Sequence, residues 1–270
     1  MTQRRVAIVT GAAGGVGAAT ALLLAQRGHD LVLNFNRSAQ EMQACLEACR
    51  AAGADAITLQ GDVADDAVCR TLAREAVQRF GRLDAVVNAA GATRFVPIAD
   101  LEAVSAEDFQ RLMGINTLAP FQLARAAAPQ MGEGGAIVNV SSNSTFSGNA
   151  SSLPYLVSKG ALNTMTLGLA RALAPRVRVN AVLPGLIEGR WMRDGLGDET
   201  YQRVKSGYAA TSLLERVSTP LDIAQAIAWL LDPACLMTGQ LMVVDGGFLL
   251  GKPPAATGAA GAAGGAAAAR

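Results

Sequence analysis

The hydrophobic positions of this chain fall into short β-branched runs separated by longer amphipathic or Ala/Leu-rich stretches. The first run, Val6-Ala7-Ile8-Val9-Thr10, lies within Arg4 to Thr10. A short run that is apolar at nearly every position reads as a strand buried on both faces. Similar runs return at Leu31 to Asn36, Ile57 to Gly61, Asp84 to Val87, Ala136 to Val140, Val177 to Leu183 and Gln240 to Val244. Between them the spacing predicts helices. One follows the glycines after Thr10 and extends to about Gly28, and others cover Ala39 to Ala52 and about Asp65 to Phe80. Further helices run from Ser105 past Asn116, from just before Tyr155 to about Ala174, and from Pro220 to Leu231. Strands that alternate with helices predict an α/β fold: a doubly wound, parallel, seven-stranded sheet with helices on both faces.

Local signals sharpen the boundaries. Ser105-Ala-Glu-Asp is a serine cap with an acidic first turn. Ser218-Thr219-Pro220-Leu221-Asp222 is a capped start with proline at the first helical position. Pro175 ends the helix that carries Tyr155, and Pro184-Gly185 breaks the sixth strand. Gly114-Ile115-Asn116-Thr117 sits inside a helix although Gly and Asn are poor helix formers, so an irregularity that exposes a carbonyl is expected there, or else simple surface tolerance. Leu186 to Val217 has no clear period and is long for a loop; it is a lid or a pair of small helices. From Gly251 the chain is Ala, Gly and Pro with Lys252, Thr257 and Arg270. Such a tail, residues 251–270, cannot bury a patterned face and is expected to be disordered or weakly helical.

Composition narrows the function classes. The 270 residues are 51% hydrophobic and 17% charged, with a net charge of +1. That balance gives no reason to expect nucleic acid or a membrane as partner. No apolar run reaches the length of a spanning helix. The apolar run after Arg4-Arg5 is too short for a signal peptide, so a cytoplasmic location is expected. Cys45, Cys49, Cys69 and Cys235 form no Cys-x-x-Cys and read as core or surface thiols. His29 is the only histidine. A Ser-His-Asp triad or a multi-histidine centre would have to be built on that one ring, and no metal site is expected.

Candidate chemistry concentrates in Ser142 to Lys159. Tyr155 and Lys159 stand four apart, one above the other on a helical face. A fixed ammonium beside a phenol favours the phenolate and is expected to lower its pKa, which suits a general acid or base. The chain has three Tyr and three Lys, with Arg supplying most of its positive charge, so the pairing is sparse in the background. Earlier, Gly11-Ala-Ala-Gly-Gly15-Val16-Gly17 follows a strand and opens a helix. Glycines there let the backbone approach a pyrophosphate, and free N–H groups stabilise it. At the exit of the second strand Asn36-Arg37-Ser38 offers a guanidinium and a hydroxyl where an acidic residue would accept from the 2′-hydroxyl of NAD. This suits the 2′-phosphate of NADP(H), unless Arg37 is only a solvated charge. Asp62, beside Val63, could accept from an adenine amino group or cap the next helix.

In order and spacing these residues resemble the short-chain dehydrogenase/reductase family, over about residues 4 to 248. The family's glycine motif matches Thr10 to Gly17. Its Asn-Asn-Ala-Gly motif appears as Asn88-Ala89-Ala90-Gly91. Its helix asparagine falls on Asn116 and its serine on Ser142. Its Tyr-x-x-x-Lys is Tyr155 and Lys159, and Pro184-Gly185 and Val244-Asp245-Gly246-Gly247 match its late motifs. The resemblance implies a single-domain Rossmann fold over residues 1–250 with a lid at about 186–217. It implies hydride transfer between a nicotinamide and a ketone or secondary alcohol. Tyr155 would donate or accept the proton, and Ser142 would hold the carbonyl oxygen. Lys159 would hold the nicotinamide ribose and depress the tyrosine pKa, and Asn116 would support a water that links Lys159 to solvent. Gly11, Gly15, Val16, Gly17, Asn36, Arg37, Ser38, Asp62, Val63, Asn88, Ala89, Gly91, Tyr155, Lys159, Pro184, Gly185 and Ile187 would contact the cofactor, NADP(H) in preference to NAD(H). A homotetramer, or a homodimer, is implied through the helices that carry Asn116 and Tyr155.

Three departures matter. Gly14 stands where many NADP-preferring members have Arg or Lys, Gly189 where the family often has Thr, and Ala89 where it has Asn. The late segment is similar to 3-oxoacyl-[acyl-carrier-protein] reductases, but Gly132-Glu133-Gly134-Gly135 is acidic where those enzymes are basic. A small free ketone or alcohol is therefore favoured over a carrier-bound substrate. A pteridine reductase would fit the Phe35 to Ser38 exit, yet that branch usually has Asp at the position of Ser142. A non-catalytic NADP(H) sensor would not need the intact Ser/Tyr/Lys/Asn set. Thr93 to Phe95, Ser144 to Phe146 and Gly185 to Val217 are candidate pocket walls. Arg94 could meet an acidic substrate or be solvated, and Trp191 and Met192 could line an apolar pocket or anchor the lid.

Overall fold

Each predicted strand forms, and every pairing between them is parallel. The computed structural model describes residues 4–252. The first half of the chain runs β1 (Arg5–Val9), α1 (Gly15–Gln26), β2 (His29–Phe35), α2 (Ala39–Ala51), β3 (Ala56–Gln60), α3 (Asp66–Phe80) and β4 (Leu83–Asn88). Then come α4 (Ala106–Met113), a π-helical segment (Gly114–Leu118), α5 (Ala119–Ala127), β5 (Met131–Val140), α6 (Ser144–Ser147) and α7 (Leu153–Leu173). The chain closes with β6 (Val177–Pro184), α8 (Arg190–Leu196), α9 (Asp198–Thr211), α10 (Pro220–Leu230) and β7 (Leu241–Val244). All but the first two residues of the expected Ala/Gly tail lie outside the described residues.

The strand order is β3-β2-β1-β4-β5-β6-β7. Side chains alternate across the sheet, so β1 feeds both layers. Ala7 and Val9 join a core with Leu24 of α1, Met42 and Leu46 of α2, and Ile223 and Ile227 of α10. Val6 and Ile8 join the opposite core with Leu72 of α3, Leu123 of α5 and Ala170 of α7. Full burial of one such aliphatic side chain is worth about 1.5–3 kcal/mol, and the few polar positions in these strands, among them Asn34, Asn88, Asn139 and Asn180, are hydrogen-bonded.

Most strand ends shift by a residue or two from the sequence reading, and β5 by more. β5 starts at Met131 rather than Ala136, because Leu83 pairs with Met131 before the register shifts at the glycine-rich stretch. β2 starts earlier and β1 stops at Val9. Thr10 has left the ladder to serve as a bracket: its Oγ1 accepts from the N–H groups of Ala89 and Ala90, both at 3.1 Å. The segment 186–217 is a pair of helices, α8 and α9, rather than an unstructured lid. Tyr201, fully buried, roots α9 and accepts the Gly189 N–H at 3.3 Å.

Between β1 and β4 the order of connection reverses, and such a switch point opens a crevice at the carboxyl ends of the strands. Here it is narrow. A Cβ at Gly11 would lie 2.8 Å from the Ala90 Cα. Thr10→Val keeps the shape of the bracket but leaves two half-buried amide donors without their acceptor, so it is expected to cost about 1–2 kcal/mol. A lower urea midpoint checks this; an unchanged midpoint would show that the Thr10 hydroxyl does not hold the crevice.

Candidate active site

The cradle at the start of α1 follows from its glycines. Gly11 has φ +65° and Gly15 has φ +53°, both in the left-handed region. Any side chain at Gly17 would collide with the Gly11 carbonyl, whereas one at Gly14 or Gly15 would meet nothing. No side chain caps α1. The first turn of the helix therefore presents its N–H groups and positive dipole end to open space, which fits a pyrophosphate.

The rim of the sheet lies to one side of this cradle. Asn36, Arg37 and Ser38 are exposed at the exit of β2. Arg37 makes no hydrogen bond or ion pair among the described residues, while Ser38 sits at φ 64° just before α2. Asn34 fixes this rim by donating to the carbonyls of Leu59 and Gly61. Of the two roles left open for Asp62, capping falls to Asp65, which accepts from the Ala67 N–H. Asp62 is exposed and only closes its own turn onto the Ala64 N–H. Val63 is buried beneath it.

The other side is built from three tied elements. The Asn88 amide donates to Asn139 at 2.8 Å, and Asn139 donates to Thr166 of α7 at 2.9 Å. Asn116 lies in the π segment, so the expected helix irregularity is present. Pro120, four residues on, brings no N–H to the Asn116 carbonyl, and an α-helical register would leave that carbonyl without a donor. The Asn116 side chain donates to the Ala92 carbonyl and to Ser158, and accepts from the Ala92 N–H, each at 2.9 Å. Thr117 donates to the Ser158 carbonyl. The distortion thus docks the π segment onto α7 one residue away from Lys159.

Ser142 leaves the end of β5 beside these elements, its Oγ accepting from the Ser144 N–H. Ser152 caps α7 and proline follows at its start. Tyr155 and Lys159 then share a face, with Nζ 5.8 Å from the phenol ring centroid. Gly91 faces the same ammonium: a Cβ there would lie 3.7 Å from Nζ and 3.4 Å from the Asn116 Oδ1. Pro184 ends β6, Gly185 and Ile187 follow it, and Ile187 bridges to Ser218.

Residues 11–249 match the family model described as enoyl-(acyl carrier protein) reductase. The chain belongs to the short-chain dehydrogenase/reductase family. It is 34% identical over 254 residues to the 3-oxoacyl-[acyl-carrier-protein] reductase of Staphylococcus aureus, covering 93% of this chain and 100% of that one. A solved blue fluorescent protein from a metagenomic library, in complex with NADPH, superposes with a TM-score of 0.81. The two are 35% identical, with 90% of this chain and 97% of that chain covered. An NAD+-bound xylitol dehydrogenase also superposes at 0.81, with 28% identity and coverage of 92% and 100%. As a member of this family the protein is an NAD(P)-dependent oxidoreductase acting on carbonyl and alcohol groups.

For this short-chain dehydrogenase/reductase the electrostatics correct one expectation. Part of the Tyr155 ring is accessible, yet burial pushes its phenol up to about 12, and the Ser142 hydroxyl only partly offsets this. Lys159 does not pull the phenol down. Its ammonium donates instead to the Val140 carbonyl at 2.8 Å, and burial lowers it to about 8. Desolvation outweighs charge pairing because the two groups are stacked at one helical turn without touching.

Two features escaped the sequence reading. Asn139 is one; a polar residue inside the apolar run Ile137-Val138-Asn139-Val140 was its only signal. The other is a cluster under the lid. Asn143 donates to the Tyr208 hydroxyl and to Asp245, each at 3.2 Å. Tyr208 stacks on Phe248 at 3.9 Å, and its hydroxyl occupies the space that a side chain at Gly185 would need. Nothing in the spacing of these residues marks them. The raised phenol has a direct check: an ultraviolet difference titration of the wild type against Tyr155→Phe is expected to place the Tyr155 ionisation near 12. A transition at or below the ordinary 10.0 would restore a Lys159-depressed phenol.

Proposed function

We propose that the protein is an NADP(H)-dependent carbonyl reductase and alcohol dehydrogenase in which Tyr155 moves the proton. The observation that carries this reading is the convergence of Ser142, Tyr155 and Lys159 beside the uncapped glycine turn of α1. A bound nicotinamide supplies or accepts the hydride. The protein's own residues handle the oxygen. The Ser142 hydroxyl orients the carbonyl and stabilises the charge that develops on it. Tyr155 is protonated at neutral pH, the form in which it can donate to that oxygen during reduction. The Lys159 ammonium is the positive charge nearest to the phenolate left behind. Asn116 acts through position: it holds Ser158, whose Oγ donates to the Tyr155 carbonyl at 2.8 Å. Its side chain is fully committed, so support for a proton-relaying water falls to its main-chain carbonyl.

The preference for NADP(H) rests on Arg37, the exposed and unpaired guanidinium at the β2 exit. Gly14 contributes no second cation. Gly11, Gly15, Val16 and Gly17 would hold the pyrophosphate, Asp62 and Val63 the adenine. Asn88, Ala89, Gly91, Pro184, Gly185 and Ile187 would line the nicotinamide half. The Asn88 side chain is bound to Asn139, so its contact would be made by the main chain. A homotetramer through the α4–α5 and α7 faces is supported by exposed Leu118, Val157 and Leu167 on those helices. No described helix is long and apolar enough to cross a membrane; a cytoplasmic location completes the reading. Ser142 in place of an acid disfavours pteridine reduction.

Tyr155→Phe removes only the transferable proton. Turnover is expected to fall by about 10²-fold or more, with the Kd for NADPH nearly unchanged; activity close to wild type would refute the role of Tyr155. Arg37→Ala is expected to raise the KM for NADPH roughly tenfold or more and leave that for NADH nearly unchanged. Equal effects on the two cofactors would show that Arg37 does not read the phosphate.

A further inference from the structure

The helix α8 is held over the site from both ends. At its start Arg190 pairs with Glu41 of α2 at 2.6 Å, on the cofactor side. Near its end the Gly195 backbone lies against the ring of Phe95, so closely that any Cβ there would collide with it. Phe95 belongs to the loop that leaves β4, on the other side of the crevice. Between the two anchors Trp191 meets Tyr155 edge to face, with ring centroids 6.3 Å apart and an interplanar angle of 66°. Half of the indole, 52%, is still exposed. A lone exposed aromatic means little. One that touches the catalytic phenol, on a helix fixed from two sides, is a wall. Phe146, on the turn that begins two residues after Ser142, is a further exposed aromatic ring.

Three cations flanking this wall are paired. Arg94 is paired with Asp108. Arg193 is paired with Asp198 at 3.2 Å, and Lys205 with Glu188 at 2.7 Å. An acidic substrate, or the phosphate of a carrier arm, would compete with a carboxylate at each of these three cations. A neutral aromatic ring would meet no such cost, and it gains both apolar burial and the directional preference of aromatic pairs.

We propose that this site takes uncharged ketones carried on a flat aromatic framework, with Trp191 as the residue that selects them. The selection rests on the carbonyl-reductase reading above: the ketone oxygen lies at Ser142 and Tyr155, and the ring system extends along the free face of the indole. Trp191 acts on binding and orientation and takes no part in proton transfer.

The test compares two neutral ketones with NADPH: β-tetralone, flat and bicyclic, and ethyl acetoacetate, small and aliphatic. The wild type is expected to favour β-tetralone in kcat/KM. Trp191→Ala is expected to lower kcat/KM for β-tetralone roughly tenfold or more, while ethyl acetoacetate changes by no more than about twofold, which also shows that the variant folds. Trp191→Phe is expected to keep most of the preference. Equal losses on both ketones would reduce Trp191 to a lid anchor and overturn the proposal, as would a wild type that favours ethyl acetoacetate. Calorimetric binding of β-naphthol, a flat analogue that cannot be reduced, separates this proposal from the reaction it rests on. Trp191-dependent binding without turnover of either ketone would sink the reductase reading and keep the aromatic site. Turnover of ketones without Trp191-dependent binding of β-naphthol would do the reverse.

Discussion

The side-chain amide of Asn116 is the joint on which the site depends. It is fully buried and makes three hydrogen bonds. Two tie it to Ala92 on the loop leaving β4, and the third ties it to Ser158 on α7. The glycine turn before α1 is tied to the first of these elements, through Thr10, Ala89 and Ala90; Tyr155 stands on the second. A buried amide that lost one partner would bear a desolvation cost of about 1–3 kcal/mol. The joint is therefore rigid, and its geometry explains the π turn. With Pro120 unable to donate and Gly114 free of side-chain constraint, the helix widens where it must present Asn116 and Thr117 to α7.

Rigidity in turn sets the electrostatics. Lys159 is buried, held by the Val140 carbonyl on one side and walled by Gly91 and the Asn116 carboxamide on another. An ammonium in that position cannot swing freely to the phenol, and both groups bear the cost of desolvation. The result is a protonated phenol beside a lysine whose charge is lost above about 8.

How far the sequence carried depends on whether a feature is local. The existence of the seven strands, the glycine turn, the capped starts of α4 and α10 and the Tyr155–Lys159 face are all written within a few residues, and each forms, with some strand ends shifted. So does the irregularity at Gly114 to Thr117, because a helix-breaking pair and a proline act on their own turn. The start of β5 was missed because Met131 joins the sheet through its pairing with Leu83, across a glycine stretch that reads as a loop. The phenol pKa was misjudged for a related reason. The four-residue spacing shows that an ammonium is near but not that β5 offers it a carbonyl. Asn143, Tyr208 and Asp245 meet only after the sheet, α9 and the turn beyond β7 are assembled, and no local pattern could announce them.

The lid carries the same argument to specificity. Its helix α8 spans only seven residues, Arg190–Leu196, too few to be stable alone. Its position is set by partners far away in the chain, Glu41 at one end and Phe95 at the other. Any sequence reading of Trp191 had to leave it as either a pocket wall or an anchor, because those partners decide between the two. Since the anchoring is done by Arg190 and Gly195, the indole is released from it and stays half-exposed beside Tyr155. The candidate chemistry thus rests on residues that local patterns reveal, whereas the wall beside it rests on a helix that only the tertiary fold can place.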